Sequence, residues 1–271
     1  MLKLLFKLLS TCSYALLQHD TRRTLASIFF RKKYKRLQKM RNYNASEDEY
    51  SFKPFDQHRC IFVHIPKIAG ISISRSLFGN LSGGHSRIEE YQILFSKEDF
   101  DRYFKFTFVR NPWSRLFSAY TFLCNGGFNA KDEKWAAENL AAYKDFNDFV
   151  IRGLRKPSTM QYVHFAPQSN FLCDPCSREL AMDFVGFFEN IEDDFDIVKR
   201  ELSLDPNLSL RHYNKTKARA GCPLNYKTSY SNEGIEIVSE LYRRDIELLG
   251  YNFDNSSLES QLAQRVASTN K

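Results

Sequence analysis

The sequence predicts an α/β fold, a central and mainly parallel sheet flanked by helices, and three observations carry that prediction. Short apolar runs rich in β-branched and aromatic residues stand at 60–65, 104–109 and 184–188, with the length and composition of buried strands. Behind each comes a segment with apolar residues at helical spacing: Ile73, Leu77 and Phe78, then Leu116, Phe117, Tyr120 and Phe122, then Ile191, Phe195, Val198 and Leu202. Strand and helix therefore alternate, the pattern of a parallel sheet whose ligands gather at the carboxyl ends of its strands.

Taken in order, residues 1–50 read as a basic, amphipathic helical segment and linker. Met1-Leu2-Lys3-Leu4-Leu5-Phe6-Lys7-Leu8-Leu9-Ser10 mixes leucines with lysines, and no apolar run approaches the roughly 18 residues of a spanning helix. Leu16-Leu17-Gln18-His19-Asp20 offers no convincing small-residue cleavage site. Basic residues crowd the stretch ahead of the first strand, from Arg22 and Arg23 through Arg31, Lys32, Lys33, Lys35, Arg36, Lys39 and Arg41. Two readings of residues 1–40 stay open: a helix lying on an anionic lipid surface, and a helix packed on the domain with a solvated basic face.

The domain itself is expected over 51–255. Its first strand is ended by Pro66, and Pro66-Lys67-Ile68-Ala69-Gly70-Ile71-Ser72 forms a tight loop of small residues before the first helix. The second strand runs into Arg110-Asn111-Pro112, with Pro112 suited to the first turn of the next helix. The polar stretch 126–157 reads as a helical insertion or lid. Ile235, Val238, Leu241, Tyr242 and Leu249 share one helical face that Gly250 stops, and 256–271 reads as a polar tail.

With 43% hydrophobic and 26% charged residues, and only 11 Gly and 8 Pro in 271, collagen-like, low-complexity and disordered chains are excluded. The 39 Lys and Arg against 32 Asp and Glu leave a formal charge of +7, which favours anionic partners without choosing among nucleic acid, phospholipid and a phosphorylated cofactor. The cysteines Cys12, Cys60, Cys124, Cys173, Cys176 and Cys222 are irregularly spaced and read as reduced thiols. Cys173-Asp174-Pro175-Cys176 lacks the second pair that a four-ligand zinc site needs.

A loop joining a strand's end to a helix's start aims backbone N–H groups at whatever lies above it, and the helix terminus adds partial positive charge. Ala69 and Gly70 permit close approach, Lys67 supplies a point charge and Ser72 a hydroxyl donor. Lys67 precedes the glycine, however, whereas nucleotide triphosphatases place the lysine after it. The second strand ends in Arg110 rather than in an aspartate that would hold magnesium, which counts against a kinase. Arg110 is a second anion grip, and Ser118 lies two helical turns beyond it. Arg115 reads as solvated or ion-paired.

These residues carry a resemblance. Pro66 to Ser72 resembles the 5′-phosphosulfate loop, and Phe108-Val109-Arg110-Asn111-Pro112-Trp113-Ser114-Arg115-Leu116-Phe117-Ser118-Ala119-Tyr120 the 3′-phosphate segment, of sulfotransferases that use 3′-phosphoadenosine 5′-phosphosulfate (PAPS). The blocks His164-Phe165-Ala166-Pro167-Gln168-Ser169-Asn170-Phe171-Leu172, Val185-Gly186-Phe187-Phe188-Glu189-Asn190 and Leu241-Tyr242-Arg243-Arg244-Asp245-Ile246 are similar to later blocks of the family 2, carbohydrate-type enzymes. The resemblance covers roughly 58–253. Ile68 and Ile71 stand where the family usually has threonine.

The resemblance implies a P-loop-like sulfotransferase fold, PAPS as sulfuryl donor, a carbohydrate hydroxyl as acceptor and in-line displacement without a metal. It implies that Pro66, Lys67, Ile68, Ala69, Gly70, Ile71, Ser72, Arg110 and Ser118 bind the cofactor, with Lys67 also stabilising the leaving phosphate. His85 in Gly83-Gly84-His85-Ser86-Arg87-Ile88-Glu89-Glu90 resembles the family's glycine-histidine block, which makes it the expected base, with Glu89 or Glu90 orienting or replacing it. His164 and Gln168 fit either an acceptor wall or a structural loop, His64 belongs to strand packing, and Asn214, Lys215 and Arg219 approach the cofactor only by analogy. Nucleic acid is not expected as a partner. With no spanning helix, the expected location is cytoplasmic, with peripheral contact to an anionic membrane through residues 1–40. A P-loop kinase and a non-catalytic polyanion- or lipid-binding relative are the competing readings.

Overall fold

The computed structural model describes residues 17–211 and 225–269. The leucine-lysine stretch at the start, Cys12, Asn214, Lys215, Arg219 and Cys222 lie outside the described residues. In chain order the elements are α1 (His19–Phe29), α2 (Arg31–Asn42), α3 (Lys53–His58), β1 (Cys60–Val63), α4 (Gly70–Phe78), α5 (Ile88–Leu94), α6 (Lys97–Arg102), β2 (Phe104–Val109), α7 (Pro112–Cys124) and α8 (Ala130–Asn139). They continue as α9 (Phe146–Arg152), α10 (Pro157–Gln161), α11 (Ser169–Leu172), β3 (Phe184–Phe187), α12 (Ile191–Glu201), α13 (Asn232–Leu241), α14 (Arg243–Leu249) and α15 (Leu258–Thr269). The chain divides into two compact units, one of Met1–Ile65, Gly70–Phe108 and Asn170–Tyr213, the other of Pro66–Ala69, Val109–Ser169 and Asn214–Lys271.

The first unit holds the sheet, in the order β1-β2-β3. β1 and β2 pair in parallel from Cys60 opposite Phe104 to Val63 opposite Thr107, so the α/β prediction holds. Strands covered on both faces cannot alternate apolar and polar, and Cys60, Ile61, Phe62 and Val63 are all fully buried. Two polar residues in β2 are accommodated individually. Thr107 donates to the Val63 carbonyl at 2.7 Å, and the Lys105 ammonium reaches the carbonyls of Phe100 and Tyr103 at 3.1 and 2.8 Å and pairs with Asp183 at 2.9 Å.

The first strand stops two residues short of its predicted end, because the His64 carbonyl faces the His85 ring, 3.2 Å from Nδ1, instead of extending the ladder. The third likewise ends at Phe187. There the buried Asp194 carboxylate accepts from Phe187 N–H at 2.6 Å and from the Asn190 amide at 2.9 Å, turning the chain into α12.

Helices α1 and α2 pack on α5 through the buried Ala26 and Leu37. Arg41 clamps Asp56 with two bonds of 2.7 Å, and Lys33 pairs with Glu90 at 2.9 Å. No described helix is long and apolar enough to cross a membrane.

In the second unit α7 starts as its sequence predicts, with Pro112 in the first turn and the Asn111 side chain accepting from the N–H groups of Trp113 and Ser114 at 3.1 and 3.2 Å. The stretch expected as a helical insertion or lid carries α8 and α9, and within it Leu140, Phe146, Phe149, Val150 and Leu154 are buried. The helical face from Ile235 to Leu249 is two helices. Tyr242 leaves helical geometry between them at φ −109° and ψ 20°, with its buried hydroxyl donating to the Phe165 carbonyl at 2.6 Å. Gly250 then closes α14 in the left-handed region, φ 72°.

Gly70 opens α4 directly beneath the His64 imidazole: a Cβ at this position would lie 1.9 Å from the ring. Gly70→Ala must therefore displace the ring or the helix start, and we expect a loss of about 2 kcal/mol, read as a lower Tm. If the clash is the cause, His64→Ala combined with Gly70→Ala costs measurably less than the sum of the two single changes.

Candidate functional site

In the second unit the segment from Pro66 to Ala69 is held in a conformation that side chains resist. Lys67 and Ala69 both take left-handed backbone angles, φ 73° and 65°, worth of order 1 kcal/mol of strain each. The turn is fastened by Arg110, whose Nη1 donates to the Lys67 carbonyl at 3.2 Å while its Nε donates to the Ser114 hydroxyl at 3.0 Å. Arg110 is itself fixed by Gln168, which accepts from the Arg110 N–H at 2.9 Å and donates to its carbonyl at 2.8 Å. The buried Asp245 carboxylate in turn accepts from the N–H groups of Gln168 and Ser169, at 2.6 and 2.8 Å.

The Lys67 side chain ends over an aromatic face. Its ammonium lies 3.8 Å from the centroid of Phe122 and has no hydrogen-bond or ion-pair partner among the described residues. Burial, reinforced by the Arg110 charge and opposed by Asp132, lowers its pKa to about 7. Ser118, half-buried on α7, likewise makes no hydrogen bond among the described residues.

Sequence reasoning missed the aspartate whose charge acts on Lys67. Asp132 is buried and accepts from the Tyr162 hydroxyl at 2.7 Å, from Phe128 N–H at 2.9 Å and, 3.3 Å away, faces His164 Nε2. Burial opposes its ionisation, but the bonds from His164, Tyr162 and Phe128 outweigh burial and hold the carboxyl well below the usual range. Burial lowers the pKa of His164 despite Asp132. Gly127 is required here, since a Cβ on it would sit 2.1 Å from Asp132 Cβ. A lone aspartate in a polar stretch carries no pattern by which sequence could single it out.

Arg115 differs from its expected solvated or ion-paired role. It is 1% exposed, donates to the carbonyls of His164 and Ala166 at 3.3 and 2.5 Å, and its pKa is lowered by burial. It therefore buttresses the 164–168 loop. Gln168 and His164 are buried parts of the same framework.

In the first unit, Gly70 and His85 both meet His64. The His85 ring stands edge-on to the His64 ring at 4.7 Å and is carried by Gly83 and Gly84, both at positive φ (91° and 50°). A carbonyl only accepts, so the His85 Nδ1 facing His64 O carries the proton and the neutral ring keeps its lone pair on Nε2. Ser72 is buried. Glu89 is half-buried and makes no hydrogen bond or ion pair with the described residues, whereas Glu90 is taken by Lys33. Of the two isoleucines at threonine positions, Ile68 is wholly buried and Ile71 half-buried.

The structure thus brings Lys67 and Arg110 together in one unit, and Gly70 and His85 around His64 in the other; the chain joins the two sets covalently at Ala69-Gly70. Among the described residues Cys60, Cys124, Cys173 and Cys176 form no disulfide with one another, and no group of three or more His, Cys, Asp or Glu is placed to hold a metal ion.

This donor set invites comparison with known proteins. Carbohydrate sulfotransferase 10 of Xenopus laevis is 28% identical over a match covering 72% of this chain and 66% of that protein. Carbohydrate sulfotransferase 14 of Danio rerio is 28% identical over 51% of this chain and 44% of its own. Carbohydrate sulfotransferase 11 of Rattus norvegicus is 22% identical over 74% and 66%. The chain so spans between 44% and 66% of the length of these relatives. No solved structure matches it significantly. The sequence profile of the Sulfotransferase family matches residues 50–252, a span containing Lys67, Arg110, His64, His85 and His164, and the chain belongs to that family.

Proposed function

We propose that this chain, through a domain spanning 51–255, transfers a sulfuryl group from PAPS to a carbohydrate hydroxyl. One observation carries the reading: Lys67 offers an ammonium without a hydrogen-bonding or ionic partner, on a strained turn that Arg110 fastens. A half-buried cation without a counter-ion is unfavourable until an anion arrives, and PAPS supplies both a 5′-phosphosulfate and a 3′-phosphate. The names of the relatives support a carbohydrate acceptor. A kinase reading lacks its parts, since β2 runs into Arg110 and the lysine precedes the loop glycine.

Bound PAPS contributes an activated sulfuryl group whose leaving side is a phosphate. The loop from Pro66 to Ser72 holds that phosphate with the backbone N–H groups of residues 67–72, and Lys67 neutralises the charge that grows on it. Arg110 and Ser118 take the 3′-phosphate. Arg110 binds through its charge while Gln168 and Asp245 fix its backbone, so affinity does not depend on a freely rotating side chain. His85, turned by its Nδ1 to the His64 carbonyl, accepts the acceptor hydroxyl's proton at Nε2, with Glu89 as the alternative base.

Thermal stabilisation tests the site directly, because a ligand that binds only the folded state raises Tm. We expect 3′-phosphoadenosine 5′-phosphate to stabilise the protein, AMP and ADP with magnesium to do so little, and Lys67→Ala and Arg110→Ala each to remove at least about 2 kcal/mol of binding. Stabilisation by ADP with magnesium alone overturns the assignment in favour of the kinase. His85→Ala is expected to keep nucleotide binding and to lower turnover by about a hundredfold or more.

The pKa of Lys67 gives the binding a pH dependence of known sign. Its folded value, about 7, lies below the ordinary 10.5, so the unfolded chain binds more protons between those limits and the ligand-free protein gains stability as pH rises through them. The anion needs the ammonium, so nucleotide affinity falls over the same range; calorimetry should show proton uptake on binding above pH 7. Lys67→Arg flattens both trends.

The threonine positions separate by burial. Ile68→Thr puts a hydroxyl into a wholly buried site and lowers Tm, by about 1 to 3 kcal/mol in stability, whereas Ile71→Thr leaves Tm nearly unchanged and tightens nucleotide binding in a direct titration.

A further inference from the structure

The loop that follows α7 is built around one exposed ring. Gly126 and Gly127 take left-handed angles, φ 90° and 70°, and the Gly127 N–H donates back to the Phe122 carbonyl at 3.0 Å. The Phe128 N–H donates to the Asp132 carboxylate at 2.9 Å. Next to it the Asn129 side chain caps α8, accepting from the N–H groups of Lys131 and Asp132 at 2.9 and 3.3 Å. The backbone is therefore fixed on both sides of Phe128, whereas its side chain is 53% exposed and has no aromatic or cationic partner among the described residues.

An exposed phenylalanine alone calls for no explanation. Here a buried carboxylate, a helix cap and two left-handed glycines combine to present a ring that the core does not use. A residue whose backbone is already held loses little freedom when a ligand packs on it.

The order of groups along α7 identifies that ligand. Arg110 bonds Ser114 in the first turn, and Ser118 lies one turn on. Phe122, whose ring carries the Lys67 ammonium at 3.8 Å, is a further turn along, about 12 Å from Ser114 at the rise of an α-helix. The Gly127 bond to Phe122 then brings the loop of Phe128 to the end of α7 remote from Arg110. With the 3′-phosphate at Arg110 and Ser118 and the leaving phosphate at Lys67, the position past Lys67 belongs to the acceptor rather than to the nucleoside. The surroundings of Phe128 are aromatic as well. The carboxylate that takes its N–H also accepts from the Tyr162 hydroxyl at 2.7 Å, and the half-exposed Trp135 stacks on Tyr162 at 4.0 Å and 5°.

We propose that Phe128 is an acceptor-binding residue, whose phenyl face packs against the apolar face of a pyranose ring. Such a sugar carries C–H groups on that face and hydroxyls around its rim; the C–H groups suit the negative face of an aromatic ring, and the rim keeps its water. The inference rests on the sulfotransfer reading of Lys67 and Arg110 and adds to it the means by which the acceptor is recognised.

The test is sulfation by the full chain, with radiolabelled PAPS, of a panel of unsulfated polysaccharides: hyaluronan, desulfated chondroitin, desulfated heparin and a β-linked galactan. For the polysaccharide sulfated best, we expect Phe128→Ala to raise KM about tenfold or more with kcat within about twofold of the parent, the pattern of lost ground-state binding. Phe128→Tyr keeps the aromatic face and should restore KM. Tm and stabilisation by 3′-phosphoadenosine 5′-phosphate should match the parent in both variants, since the ring is exposed. An unchanged KM in Phe128→Ala overturns the proposal alone, as does a rise that Phe128→Tyr shares, which assigns the effect to the loop. Loss of nucleotide stabilisation in Phe128→Ala overturns it by assigning the ring to adenine. Nucleotide stabilisation of the parent without sulfation of any member of the panel overturns the carbohydrate reading and this inference together, and absence of nucleotide stabilisation in the parent overturns the sulfotransfer reading on which both rest.

Discussion

The candidate site rests on one continuous line of hydrogen bonds, from the Asp245 carboxylate through the Gln168 amide to the Arg110 peptide, and from the Arg110 guanidinium to the Lys67 carbonyl. Lys67 and Ala69 hold backbone angles that neither would choose alone. A strained turn persists only where its surroundings over-determine it, and here the guanidinium fastens the turn while the Gln168 pair fixes the guanidinium's own backbone. Each link is buried or half-buried, where an unmade bond costs far more than a made one gains. The geometry is therefore close to all-or-none.

Within that frame the electrostatics are asymmetric. Asp132 is the nearby acid that could neutralise Lys67, yet its oxygens are committed to Tyr162, Phe128 and His164. Its charge reaches Lys67 only through space, as a partial offset to burial and Arg110. The ammonium is left to an aromatic face, which attracts a cation weakly and competes poorly with an anion. A protein optimised for stability alone would close this pair; leaving it open is the trade that a binding site makes.

The features visible in sequence are the local ones. Strand identity at 60–63, 104–109 and 184–187 follows from short apolar runs, and the start of α7 from Asn111-Pro112. Lys67, Gly70 and Arg110 were legible because a loop after a strand has few physical uses for such residues. What stayed hidden depends on partners distant along the chain. Gln168 reaches Arg110 across 58 positions and Asp245 across 77, and no local period signals a bond of that span. Arg115 reads as a surface cation because composition cannot show that two carbonyls, of His164 and Ala166, await it. The break at Tyr242 is of the same kind: the apolar face continues, but the tyrosine's hydroxyl is spent on Phe165.

The two isoleucines at threonine positions carry different weights for the same reason. At position 68 the side chain is wholly enclosed, so a hydroxyl there would need a partner inside the protein before it served any ligand, and isoleucine gains packing instead. Position 71 is half-exposed on the first turn of α4, where a hydroxyl would add to donors already supplied by the helix start. The charges proposed to anchor an anion, Lys67 and Arg110, are untouched by either change. Charge-assisted bonds and helix-start N–H groups outweigh neutral hydroxyl donors in holding phosphate, so the departures at 68 and 71 bear on the strength of binding before they bear on its existence.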